Sequence, residues 1–498
     1  MTEKYELNSI SQRSYSALLW NYLGSTVRMS SQFIIGIFLA RMLGPETFGI
    51  VALGWLMVSV GNLVADFGLN AAVIQSKTLV EKDIRFAFTA QVFFGAALTI
   101  IGYFSAKYIA IFFNKIDAAP VIQAMSLLFV FQAFGQIASA MLRRALNFKT
   151  YQAINITSYL AGYLLIGIPS AYYGFGVWSL VAAQLTQSLL FSVIIMWRTT
   201  HSLRFTLKPD SQGMFSFGGK VMISNLVSWV VLNLDSLIIG RMLGVVNLGI
   251  YNRAMALIGT PINTLTSGLQ GVLFAASSRV QADPVQLKKS YFAATSVISL
   301  VCLPLAMTVA IVPETIILSI YGINWKMAIP VLSPLALAMS VHALSAVIGP
   351  VLMAQNKVGL ELRAQLFSLL AMLPVLYFAS SKSLQAVAWA VFGIYLLRWV
   401  LLVTAILPTL KVSWVEILRL LFWPFTCAIV TAVNTLICDH SFAEASPFLR
   451  LLIDMAIAVV TLLTLFRFYG AKILSGAHGD YLMRSGRLTG FVRSFLKL

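Results

Sequence analysis

Residues 175–197 read FGVWSLVAAQLTQSLLFSVIIMW, an unbroken stretch without a single charge. It is apolar on nearly every helical face, and it is long enough to cross a hydrocarbon core about 30 Å thick. Barrel strands would instead alternate in polarity over about ten residues. The same signature recurs along the chain, which is 59% apolar and only 10% charged over 498 residues. Soluble domains are roughly 45–50% apolar and 25% charged, so a soluble fold is excluded. The sequence predicts an all-α polytopic membrane protein of about fourteen transmembrane helices.

The expected spans cover 17–40, 47–70, 87–113, 121–142, 152–173 and 175–197, then 214–240, 247–276, 291–319, 328–354, 362–380 and 385–408, with two more at 417–438 and 448–467. This divides the chain into an N-terminal lobe (1–197), a basic connector (198–213), a C-terminal lobe (214–408), two extra helices (409–468) and a basic amphipathic tail (469–498). Lys and Arg gather in cytoplasmic loops of membrane proteins. With the N-terminus inside, 24 of the 35 fall in inner segments and 7 in outer ones. Both termini are therefore expected in the cytoplasm. The two lobes repeat: Arg41-Met-Leu-Gly44 returns as Arg241-Met-Leu-Gly244, and Gly49-Ile50 as Gly249-Ile250. Repeats of the same topology are related by an axis along the membrane normal and enclose a cavity between lobes.

A charge within a span is costly and marks a functional position. Arg28, Lys220, Arg253 and Arg398 are cations so placed. Arg28 sits about eleven residues from either end of its span, roughly 16 Å from water. Residues three, four and seven apart share a helix face. Asn21, Ser25, Arg28 and Gln32 form such a stripe on the first span, and Ser59, Asn62 and Asp66 on the second. On the seventh span Lys220, Ser224, Ser228 and Asp235 line up, and on the eighth Arg253, Thr260, Thr264 and Ser267. Hydroxyls and amides on such stripes also serve plain helix packing. Arg398 belongs to no stripe, and His342, alone in mid-span, reads as a packing residue.

Arginine favours phosphate oxygens in two-pronged hydrogen bonds. Hydroxyl and amide neighbours suit sugars, so the stripes point to a phosphorylated glycolipid. Asp66 and Asp235 are candidates for binding a coupling proton or sodium ion. A net charge of +18 could suggest nucleic acid, but the surplus lies in loops and tails that face a lipid bilayer, so no nucleic-acid partner is expected. Cys302, Cys427 and Cys438 lack metal or disulfide spacing. No removable signal peptide is read, and no phosphate-binding loop for ATP occurs. No cofactor is expected. Connectors are too short for a catalytic domain, so an enzyme is not expected.

A resemblance lies in Phe38-Leu-Ala-Arg-Met-Leu-Gly-Pro-Glu-Thr-Phe-Gly49, Asp66-Phe-Gly-Leu69 and Ala71-Ala-Val-Ile-Gln75. It extends through Phe175-Gly-Val-Trp-Ser-Leu180, Asn233-Leu-Asp-Ser-Leu-Ile-Ile-Gly-Arg241 and Leu248-Gly-Ile-Tyr-Asn-Arg-Ala254. These segments resemble polysaccharide flippases of the MOP superfamily, in the branch of Wzx-type exporters that includes colanic acid and teichuronic acid transporters. The resemblance implies two six-helix lobes with two extra C-terminal helices. It implies transfer of undecaprenyl-pyrophosphate-linked oligosaccharide from the cytoplasmic to the outer leaflet of the bacterial inner membrane, for lipopolysaccharide or exopolysaccharide synthesis. Arginines on the first and eighth helices of related flippases engage the pyrophosphate, and Arg28 and Arg253 occupy those helices here. Polysaccharide polymerase or export machinery is the implied partner. The rival readings are a multidrug exporter of the same superfamily, whose cavity should be acidic, and a polysaccharide polymerase or ligase, which needs a large outer loop.

Overall fold

The computed structural model describes residues 2–75, 80–199, 204–206 and 214–475. The side chains of 2–18, the basic tail beyond 475 and most of the connector lie outside the described residues. The chain forms two compact units, Met1–Asn252 and Arg253–Leu498.

The first unit contains α1 (Thr2–Met42), α2 (Pro45–Asp66), α3 (Leu69–Gln75), α4 (Glu81–Phe112), α5 (Ala119–Arg144), α6 (Phe148–Leu160), α7 (Ile168–Tyr172), α8 (Val177–Arg198), α9 (Met214–Met242) and the start of α10 (Val245–Arg279). A π-helical turn, Ala161–Gly167, joins α6 to α7. The second unit takes the rest of α10, then α11 (Pro284–Ile311), α12 (Pro313–Ile320), α13 (Ile329–Ala346), α14 (Ile348–Ala354), α15 (Val358–Ser380), α16 (Leu384–Leu410), α17 (Trp414–Ser441) and α18 (Pro447–Ser475).

Local chemistry sets many of these boundaries. Proline stands at the start of α2, α11 and α12, where its missing N–H costs nothing. Asn147, Asp283 and Ser383 accept hydrogen bonds from the first free N–H groups of α6, α11 and α16. The Gln286 N–H holds the Asp283 carboxyl below the usual carboxylate range. Ser413 and Glu416 form a reciprocal capping box on α17. In the first unit, Glu46 ties the start of α2 to Lys115 at 2.7 Å and holds that ammonium above the usual lysine range.

Thirteen helices among the described residues are long and apolar enough to cross a membrane. The fourteenth expected span corresponds to α10, which has ample length at 35 residues. It falls short in composition because Thr260, Asn263, Thr264, Thr266, Ser267 and Gln270 crowd its middle. Three expected spans are also interrupted, that over 328–354 at Val347 between α13 and α14. The span over 47–70 stops at Asp66, because Phe67 and Gly68 both take positive φ, 43° and 68°, and break the helix. The span over 291–319 divides at Val312, whose successor Pro313 disfavours helical geometry before it.

Hydropathy is turned outward, as lipid requires. Phe93, Ile100, Phe104 and Tyr108 on α4 and Phe367, Leu370 and Phe378 on α15 are exposed, while Gln91, Ser126, Asn155, Ser299 and Thr431 are buried. A water-soluble chain could not carry so large an exposed apolar surface. The core of the second unit runs through Ile262, Leu287, Cys302, Val347, Leu352, Val403 and Ile406. The two C-terminal helices belong to this unit: Arg450 on α18 makes a two-pronged ion pair with Asp439 on α17, at 3.0 and 2.6 Å, and Thr315 of α12 donates to the same carboxylate at 2.6 Å.

Candidate functional site

The first-span stripe meets a second polar stripe on α6. Gln152 Nε2 donates to Asn21 Oδ1 and to Ser25 Oγ, each at 3.0 Å. One helical turn further, Arg28 Nη1 donates to Asn155 Oδ1 at 3.3 Å. Gly24 permits the approach, since a Cβ there would lie 2.4 Å from the Gln152 Cβ. Asn21, Ser25, Arg28 and Gln32 are all half-buried. Three members of the stripe are therefore brought together with α6, and Arg28 is the only ion among them. Beyond Asn155 the polar line continues: Tyr159 stacks on Tyr163, whose hydroxyl donates to Gln184 at 2.7 Å. The π-helical turn that carries Tyr163 packs closely on α8, where a Cβ on Gly162 would come 2.4 Å from the Ala183 carbonyl oxygen. Such turns interrupt α-helices most often at functional positions.

On α2 and α3 the partners come from α4 and α5. Asn62 donates to Gln132 and Asn70 to Gln136, both at 2.9 Å. The Asp66 carboxylate accepts from Gln91 at 3.0 Å and from the Asn70 N–H at 3.2 Å. Ser59 accepts from the Trp229 indole at 2.8 Å. Gln132, Gln136, Ser139 and Arg143 occupy one face of α5 at spacings of four, three and four. Counting faces would have found this row, as it would Gln152 and Asn155 on α6. Neither row carries a charge inside an expected span.

Asp235 is placed differently. It is 7% exposed, accepts from Tyr251 Oη at 2.5 Å and from the Ser236 N–H at 2.7 Å, and so lies sealed in the seam of α9 and α10. Lys220 lies on α9, but its side chain is outside the described residues. In the second unit Arg253 is half-buried, and Tyr321 Oη donates to its carbonyl oxygen at 3.4 Å. Thr264 and Ser267 bond back to the carbonyls of Thr260 and Thr264, as hydroxyls in helices do. Arg398, which belonged to no stripe, lines a cavity of about 440 Å³ with His342, Gln270 and Glu361.

Residues 38–330 match the model of a family described as polysaccharide biosynthesis protein. The chain is similar to the lipopolysaccharide biosynthesis protein WzxC of Escherichia coli, 22% identical over 74% of this chain and 75% of that one. It is also similar to the teichuronic acid biosynthesis protein TuaB of Bacillus subtilis, 26% identical over 60% of this chain and 62% of that one. Its fold is similar to the lipid II flippase MurJ in an inward closed conformation. The TM-score there is 0.72 at 15% identity, over 90% of this chain and 99% of that one. A multidrug resistance MATE family transporter of the MOP superfamily, inward-facing, gives 0.60 at 14% identity over 76% of this chain and 94% of that one.

Proposed function

We propose, from the premise that the chain belongs to the polysaccharide biosynthesis protein family, that it moves undecaprenyl-pyrophosphate-linked oligosaccharide from the cytoplasmic to the outer leaflet of the bacterial inner membrane. The observation that carries this reading is Arg28, a guanidinium deep in an apolar span, half-buried and oriented by Asn155. A guanidinium fixed by one amide keeps further N–H groups for a second acceptor, and pyrophosphate oxygens match that fork. Arg253 does the same work in the second unit, with Lys220 assisting from the cytoplasmic side. Amides and hydroxyls of Asn21, Ser25, Gln32 and Asn62 favour sugar. The lipid tail stays in the bilayer, and both termini face the cytoplasm.

The names of the relatives support this direction: WzxC and TuaB are named for lipopolysaccharide and teichuronic acid biosynthesis, and MurJ for flipping lipid II. A cationic drug would be repelled at Arg28. The test is leaflet-resolved assay of lipid-linked oligosaccharide in cells with and without the gene. Accumulation in the cytoplasmic leaflet on deletion, reversed by the wild-type chain, is the expected result. Correct leaflet distribution with a block in polymerisation would sink the flippase reading and favour a polymerase or ligase.

Coupling to a proton or sodium gradient is assigned to Asp66. Gln91 and Asn70 both donate to Oδ1 of its half-buried carboxylate, whereas Tyr251 and Ser236 occupy both oxygens of the buried Asp235. Asp66→Asn preserves the hydrogen-bond acceptor and removes the charge. Flipping by this variant should continue at a reduced rate and no longer respond to collapse of the gradient. An undiminished response would remove Asp66 from the coupling role.

A further inference from the structure

The cavity of about 440 Å³ in the second unit is built from Gln270 and Phe274 on α10, His342 on α13, Gly349 on α14, Glu361 on α15 and Arg398 on α16. Glu361 and Arg398 both face it, yet no ion pair joins them among the described residues. Arg398 Nε is buried without a hydrogen-bond partner. Opposite charges in a low-dielectric interior attract strongly, so direct pairing is the default outcome. Here they remain unpaired. Gly349 makes room for the carboxylate, since a Cβ at that position would lie 2.8 Å from Glu361 Oε1. The His342 ring packs against Tyr395 with centroids 5.6 Å apart, and Gln270 Nε2 is fixed on the Ala346 carbonyl at 2.9 Å, which leaves the amide oxygen free to accept.

A carboxylate only accepts hydrogen bonds and a guanidinium only donates them. A ligand that satisfies both must carry groups that do either, and hydroxyls are the common case. A bare phosphate would meet Glu361, and a metal cation would meet Arg398, so the pair disfavours both. Phe274 is 46% exposed and offers an apolar ring face for the C–H side of a sugar. The volume falls within the usual range for small-ligand pockets of about 300–1,000 Å³. Gln270 is seventeen residues from Arg253 on α10, roughly 25 Å along the helix, too far for the two to bind one phosphate group.

We propose that this cavity is a saccharide subsite, in which Glu361 and Arg398 bracket a hydroxylated sugar ring and Phe274 supports its apolar face. The proposal rests on the flippase reading and adds to it the part of the substrate that this unit recognises.

The test compares two probes on the full chain in lipid nanodiscs: undecaprenyl pyrophosphate without sugar, and the undecaprenyl-pyrophosphate-linked oligosaccharide extracted from producing cells. Wild type should bind the glycosylated lipid about tenfold more tightly or better. Glu361→Gln and Arg398→Gln should each cut that preference to about twofold or less, with affinity for the sugar-free lipid unchanged, which also shows that the variants are folded. Phe274→Ala, at a half-open position, should reduce the preference about threefold. The subsite is overturned if all three variants keep the wild-type preference, or if wild type binds both lipids equally. Binding of neither lipid by wild type would overturn the flippase reading along with it.

Discussion

Alanine at Gly49 or at Gly249 is expected to abolish the folded protein. A Cβ on Gly49 would stand 1.8 Å from the Val245 carbonyl oxygen, and one on Gly249 would stand 2.0 Å from the Pro45 carbonyl oxygen. The four residues form two equivalent pairs, since the segments containing them repeat at an offset of 200 positions. The first turns of α2 and α10 therefore cross backbone to backbone, each glycine receiving the other helix's opening carbonyl. Small residues permit such close crossings in membranes, where packing replaces the hydrophobic effect as the force between helices. A methyl group at either position must push two helix backbones apart by more than 1 Å in a close-packed interior, which puts the cost above about 4 kcal/mol. Gly44 supplies the control: it has φ of −78°, and a Cβ there meets nothing within 4 Å. Gly44→Ala should accumulate as monodisperse protein in size-exclusion chromatography, and Gly49→Ala and Gly249→Ala should not. Wild-type yield and thermal midpoint for Gly49→Ala would refute the crossing.

The second large effect concerns transport. In the double variant Arg28→Gln, Arg253→Gln, flipping should fall about 100-fold or more at matched expression, because charge-assisted hydrogen bonds to phosphate are each worth roughly 1.5–3 kcal/mol. Glutamine at 28 still reaches for an amide partner such as Asn155, so helix packing is largely preserved. Arg28→Lys should be intermediate, about tenfold down, since an ammonium keeps the charge and loses the planar fork. The rate at which lipid-linked sugar becomes accessible from outside intact cells reads both. Export by the double variant within about twofold of wild type would remove the arginines from the substrate path, leaving Arg28 a packing partner of Asn155.

What the sequence determined by itself was the all-α class, most of the membrane-crossing segments and the internal repeat. Lipid allows only long apolar helices with satisfied backbones, and proline, asparagine, aspartate and serine at their starts act through the next few residues, so these features are local. The polar stripes were legible as faces, because a helix fixes which residues share a side. What a face meets is not local. Tertiary structure set Asn21, Ser25 and Arg28 against Gln152 and Asn155, and sealed Asp235 under Tyr251. It gave the unassigned Arg398 a cavity shared with Glu361 and His342, residues on three helices. Periodicity along one helix is silent on its neighbours, and the same amide or carboxylate serves packing or binding according to whether a second helix or an open space lies opposite it.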